Sequence, residues 1–258
     1  MRREVHAEWT KVRTVAGPWW LLGAFVVLTV AAGAVAAAVV PCAAAGCGQD
    51  AARISLVGVQ LGQAMVALLA VPAICGEYST GMIHTSLAAM PRRTVALAAK
   101  AVVVGGLTLA AGTLAVLGSV LAGRLLLPGS GFVPAHGYPP LSLADGPTLR
   151  AAVGSVLYLV LIALLSLGLA TAVRDSAAAA GVVLGLLYVF PIAVLMVSSE
   201  ESRRLLWSIS PTNAGLAVQT TVDLADLPIS PWGGLGVAAA WAAAALAGGG
   251  LLLRLRDA

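Results

Sequence analysis

Reactive side chains are scarce in this 258-residue chain, and the greatest variety falls in one run, GEYSTGMIHTSLAAMPRRTVALAAK, residues 76–100. It brings together an acid (Glu77), a phenol (Tyr78), an imidazole (His84) and an arginine pair (Arg92 and Arg93), with apolar segments on both sides. Catalysis would require partners for these groups, and the sequence does not supply them. His6, His84 and His136 are scattered along the chain, so they do not form one metal site. No G-x-x-x-x-G-K-[ST] loop is present to cradle the phosphates of a nucleotide. What these residues can still do is make contacts: an acid and an aromatic beside a short helix, with basic residues at its far end.

Composition says what must position them. The chain is 60% hydrophobic and only 10% charged, with a mean hydropathy of +0.96. A soluble domain carries roughly a quarter charged residues, so this chain cannot cover a water-facing surface. Six apolar runs reach the length of about 18 residues that a membrane helix needs, approximately at 18–40, 54–75, 100–123, 151–173, 177–197 and 232–253. Barrel strands would be about ten residues with alternating polarity, and nothing alternates. The expected fold is all-α: a polytopic helical bundle with six transmembrane helices forming a single transmembrane domain over 18–258. A glutamate-type intramembrane protease is excluded, because Leu205 stands where the pair Glu200–Glu201 would need an arginine four residues on.

Charge placement orients the bundle. With a cytoplasmic N-terminus, the inner segments hold Arg2, Arg3, Lys11, Arg13, Arg92, Arg93, Lys100, Arg174, Arg254 and Arg256. The outer segments hold Arg53, Arg124, Arg150, Arg203 and Arg204, so the split is ten to five. That bias predicts both termini inside, and it accounts for the basic residues without nucleic acid as a partner. Arginine outnumbers lysine thirteen to two, which with the abundant Ala and Gly suggests a GC-rich bacterial genome, and so a bacterial cytoplasmic membrane. Residues 1–17 are too polar to span, yet Val5, Trp9, Val12 and Ala16 share a helical face. They predict an interfacial helix, anchored by Trp9, Lys11 and Arg13 and followed at the boundary by Trp19 and Trp20. The first apolar run exceeds the 7–15 residues of a signal h-region, so it reads as a retained span.

Within the expected spans, Gln60 and Gln63 fall at i, i+3 on one face. Either they bond to a neighbouring helix or they line a path for substrate. Pro72 and Pro191 are expected kinks. Cys42 and Cys47 share the first outer loop, either as a disulfide or as two free thiols. No Asp, Glu, Lys, Arg or His lies in the middle of any span, which argues against an ion-coupled carrier. Energy for transport would then have to come from a partner at the cytoplasmic face.

In the run that began this reading, Ile83, Leu87 and Met90 fall at i, i+4 and i+7 with Met82 beside them, so a short helix can bury that stripe. Pro91 stops it. Periodicity alone fits two readings: an ordinary amphipathic loop held by positive residues, or a docking helix pushed by a cytoplasmic motor. Three pieces of the chain resemble permease subunits of ABC exporters of the type-2 class, particularly actinobacterial ones. They are EWTKVRTVAGPWWLL, GEYSTGMIHTSLAAMPRR and PWGGLGVAAAWAAAALAGGGLLLRLRDA, with SPTNAG at 210–215 as a shorter fourth.

The resemblance implies an elbow helix at 1–17 and a coupling loop at 76–99. It implies ATPase contact through Glu77, Tyr78, Gly81, Met82, Ile83, His84, Leu87 and Met90. His84 stands where relatives commonly carry arginine. It further implies a separate ABC ATPase holding ATP and Mg, a second permease copy or paralogue, and no catalytic site or bound cofactor in this chain. The alternative expectation is a non-transporting membrane anchor or immunity subunit that only binds a partner.

Overall fold

A computed structural model of the protein describes residues 2–42, 47–79 and 93–255. Its helices are α1 (Arg2–Thr14), α2 (Ala16–Val39), α3 (Ala51–Leu56), α4 (Gly58–Ala70), α5 (Pro72–Ser79) and α6 (Arg93–Leu126), then α7 (Gly146–Val173), α8 (Ser176–Leu184), α9 (Phe190–Leu195), α10 (Glu200–Ile209), α11 (Pro211–Leu216) and α12 (Pro231–Leu255). No strand occurs among the described residues. Six helical stretches are long and apolar enough to cross a membrane: Ala16–Val39, Ala51–Tyr78, Thr94–Ser130, Gly146–Val173, Ser176–Leu195 and Pro231–Leu255. They coincide with the six runs read from hydropathy. One end of the bundle carries α1 and the close of α12; the other carries Cys42 and Cys47.

The second span is broken twice, at Val57 and at Val71. The second break is set by Pro72, which has no N–H to donate and crowds the preceding turn. Beside the first break, Gly58 runs so close to α2 that a Cβ would lie 1.9 Å from the carbonyl oxygen of Thr29. α7 is the axis of the bundle, packed on α12, α6 and α4. Its contact with α12 depends on facing glycines. A Cβ on Gly168 would fall 2.4 Å from the carbonyl carbon of Ala245, and one on Gly249 would fall 2.5 Å from the carbonyl oxygen of Gly168. Small residues let membrane helices meet backbone to backbone, where no hydrophobic driving force separates helix from lipid.

The fifth span carries a π-helical segment, Gly185–Val189, just before Pro191. Pro191 cannot serve the carbonyl of Leu187, its i−4 acceptor. The hydroxyl of Thr212 donates to that carbonyl instead, at 3.0 Å. Thr212 is delivered by the SPTNAG piece, where Ser210 caps α11 by accepting from the N–H of Asn213 at 3.3 Å. Gly215 in the same piece leaves room for Tyr158, whose ring a Cβ would meet at 2.5 Å. Thr212→Val keeps the shape but withdraws the donor, leaving a carbonyl unpaired in the apolar interior. That substitution is expected to cost about 1–3 kcal/mol in detergent unfolding, whereas Thr212→Ser should cost less. Equal stability of the wild type and Thr212→Val would refute the bond's role.

At the far end Cys42 and Cys47 form a disulfide, which resolves the alternatives left by the sequence. The hydroxyl of Tyr138 lies 3.2 Å from Sγ of Cys47 and accepts from the N–H of Gln49. Asp50 caps α3 through the N–H of Arg53 at 3.1 Å and also accepts the hydroxyl of Thr221 at 2.7 Å. The disulfide thus closes the loop between α2 and α3, and Asp50 ties that loop to the segment before α12.

Candidate functional site

The terminus end is organised by two carboxylates and two amines. Nζ of Lys100 donates to Oε2 of Glu8 at 2.8 Å and to Oε1 of Glu77 at 2.6 Å. Nζ of Lys11 donates to Oε1 of Glu8 at 2.8 Å and to the same Glu77 oxygen at 2.6 Å. The result is a closed ring of four opposite-sign contacts with no net charge. Side-chain exposure is 3% for Lys100, 8% for Glu8, 9% for Glu77 and 37% for Lys11. Three members are thus withdrawn from water, where an unpaired charge is costly. Burial of Lys11 opposes its charge, but the bonds it donates to Glu77 and Glu8 outweigh this, so it holds its proton above the ordinary lysine range.

Each member comes from a different stretch, and local structure explains its aim. Glu8 and Lys11 lie at i, i+3 on α1, so they project from one face. Glu77 closes α5, and Lys100 lies in the second turn of α6. The ring therefore fastens α1 across the ends of the second and third spans. α1 docks on the bundle through a polar face. Glu8 is buried, with Val5, Lys11 and Val12 half-buried around it, whereas Trp9 and Ala16 are exposed. Trp9 sits at the edge of the contact, packed edge-on against Trp19 with ring centroids 6.2 Å apart. One carboxylate and one amine from the spans, Glu77 and Lys100, hold that face. Trp20 and Arg13 are exposed.

Tyr78 extends the same hub to the other half of the bundle. Its ring lies under the guanidinium of Arg174, with Cζ 5.2 Å from the centroid. Arg174 ends α7 in a left-handed conformation, φ 67°, which costs a non-glycine residue about 1–2 kcal/mol. Stacking on an aromatic face offsets about 0.5–2 kcal/mol of that. Asp175 then caps α8 by accepting from the N–H of Ala178 at 2.7 Å. Through adjacent residues, Glu77 and Tyr78, one helix end grips α1, α6 and the α7–α8 turn.

The 76–99 loop is narrower than its sequence suggested. Residues 76–79 complete α5 and residues 93–99 begin α6, because Lys100 finds two buried carboxylates and does not need to end the helix in water. Gly81, Met82, Ile83, His84, Leu87 and Met90 lie outside the described residues. Gln63 and Gln60 separate in role. Gln63 is fully buried, and its side-chain oxygen accepts from the hydroxyl of Tyr158 on α7. The Gln60 side chain is exposed, and its backbone carbonyl accepts from the hydroxyl of Tyr188 at 2.5 Å.

The ring was missed at the sequence level, although one signal marks it. The chain uses arginine thirteen times and lysine twice, and both lysines are in the ring. A compact ammonium with three donors can serve two carboxylates from one point, which a planar guanidinium does less readily. Among the described residues no three His, Cys, Asp or Glu side chains are grouped to hold a metal ion. The fold and this site define a multi-pass helical membrane protein whose terminus end is closed by a neutral cluster of buried charge. No family model and no curated protein matches the chain.

Proposed function

We propose that this chain is the permease subunit of an ATP-driven ABC exporter in a bacterial cytoplasmic membrane, with both termini cytoplasmic. It works with a separate ATPase and a second permease domain. One observation carries the reading: Glu77 and Tyr78, in the last turn of α5 shortly before segment 80–92, bond to α1, to α6 and to the α7–α8 turn. A force delivered to that segment by an ATPase would reach both halves of the bundle through two adjacent side chains. α1 would move with it, because Glu8 and Lys11 close the same ring. Nucleotide hydrolysis belongs to the partner, and the bundle supplies the path for a lipid-like, drug-like or peptide substrate.

The test is affinity purification of the tagged full chain from its native membranes in mild detergent. Recovery of an ATPase with a phosphate-cradling loop, together with vanadate-sensitive export by the reconstituted complex, is the expected result. Recovery of a partner without ATPase activity, or export that ignores vanadate, would replace this reading with that of an anchoring subunit.

A further inference from the structure

Between the first turns of α6 and the last turns of α12 lies a groove of about 620 Å³. Leu97, Ala101, Leu246 and Gly250 form much of its wall, and Thr94 and Arg254 are its polar lining residues among the described residues. Both stand at the terminus end, where Nη2 of Arg254 makes a long 3.4 Å bond to the hydroxyl of Thr94 and remains exposed. The polar end therefore lies at headgroup depth, and the apolar wall runs towards the acyl region.

The glycines of α12 support a built groove. Gly248, Gly249 and Gly250 each cost a helix about 1 kcal/mol against alanine. Gly249 is required by the approach of α7, as described above. Gly250 is not: a Cβ there would meet only the end of Leu97, at an ordinary 3.5 Å. What glycine at 250 preserves is the width of the groove.

We propose that this groove holds one anionic phospholipid, with an acyl chain along Leu97, Ala101, Leu246 and Gly250 and its phosphate on Arg254. An arginine fork matches a phosphate oxygen pair, and basic pockets between membrane helices suit anionic head groups. A zwitterionic lipid would bring an ammonium to the same arginine and so binds more weakly. The assignment rests on the spanning helices alone and is independent of any ATPase partner.

Native mass spectrometry of the full chain, titrated with phosphatidylglycerol or phosphatidylcholine of matched chains, tests it. The wild type should retain phosphatidylglycerol about fivefold better, the contribution of one basic residue. Arg254→Gln should erase that preference, and Gly250→Leu should weaken both lipids. Ala98→Phe fills the groove from the opposite wall if Gly250→Leu does not fold. Equal retention of the two lipids by the wild type, an undiminished preference in Arg254→Gln, or unchanged binding in the filled variants would overturn the proposal. So would a second copy of the chain seated in the groove in place of lipid.

Discussion

Glu77→Ala is expected to loosen the whole terminus end, at a cost of about 3–5 kcal/mol, the range for removing one partner from a buried ion pair. Lys100 would keep only Glu8, Lys11 would compete for the same carboxylate, and the cluster would carry an uncompensated positive charge. The size of the effect lies in that charge and not in the loss of two hydrogen bonds. A second substitution therefore discriminates. Glu77→Ala combined with Lys100→Met restores neutrality, leaving the Glu8–Lys11 pair on α1, and should recover much of the loss. Thermal unfolding in detergent reads the stability, and the rate of proteolysis near α1 reads its docking. A double variant as damaged as the sum of the two single ones would show that the four groups do not act as a unit. Lys100→Arg should also be damaging, since the buried site is shaped for a point charge with two acceptors.

The second large effect concerns the axis of the bundle. In Gly168→Ala the new Cβ would lie 2.4–2.7 Å from backbone atoms of Ala245 and Leu246, and backbone cannot turn aside as a flexible side chain can. α7 and α12 must separate, with an expected loss of about 1–3 kcal/mol or somewhat more. Gly236→Ala is the control on the same α12 helix. Nothing lies within 4 Å of its added Cβ, so the variant should be neutral or gain up to about 1 kcal/mol from helix propensity. Equal melting behaviour of the two variants would refute close packing at Gly168.

How much of this was legible in the sequence follows from the range of the forces involved. The six spans were legible because length and apolarity are local, and Pro72 and Pro191 marked real irregularities for the same reason. The carbonyl acceptor of Thr212 was not legible, because it depends on α11 folding back onto the fifth span. The partner of Gln63 was half legible. Its polarity required a bond, but only the packed bundle identifies Tyr158, whereas the Gln60 side chain is exposed. The docking face of α1 was not legible, because periodicity weighs apolar residues alone. Glu8 and Lys11 face inward for the sake of Glu77 and Lys100, which lie 66 and 92 positions away from Lys11 and Glu8 respectively.

The scarcity of lysine has a practical consequence. Every side-chain amine of the protein belongs to the ring at the terminus end, one at its rim and one inside it. An acylating reagent therefore meets Lys11 from solvent, but reaches Lys100 only while the ring is open. The ratio of the two modification rates measures how often Glu8 and Glu77 release their inner partner. The unmodified chain thus carries its own chemical clock for the opening of that end of the bundle.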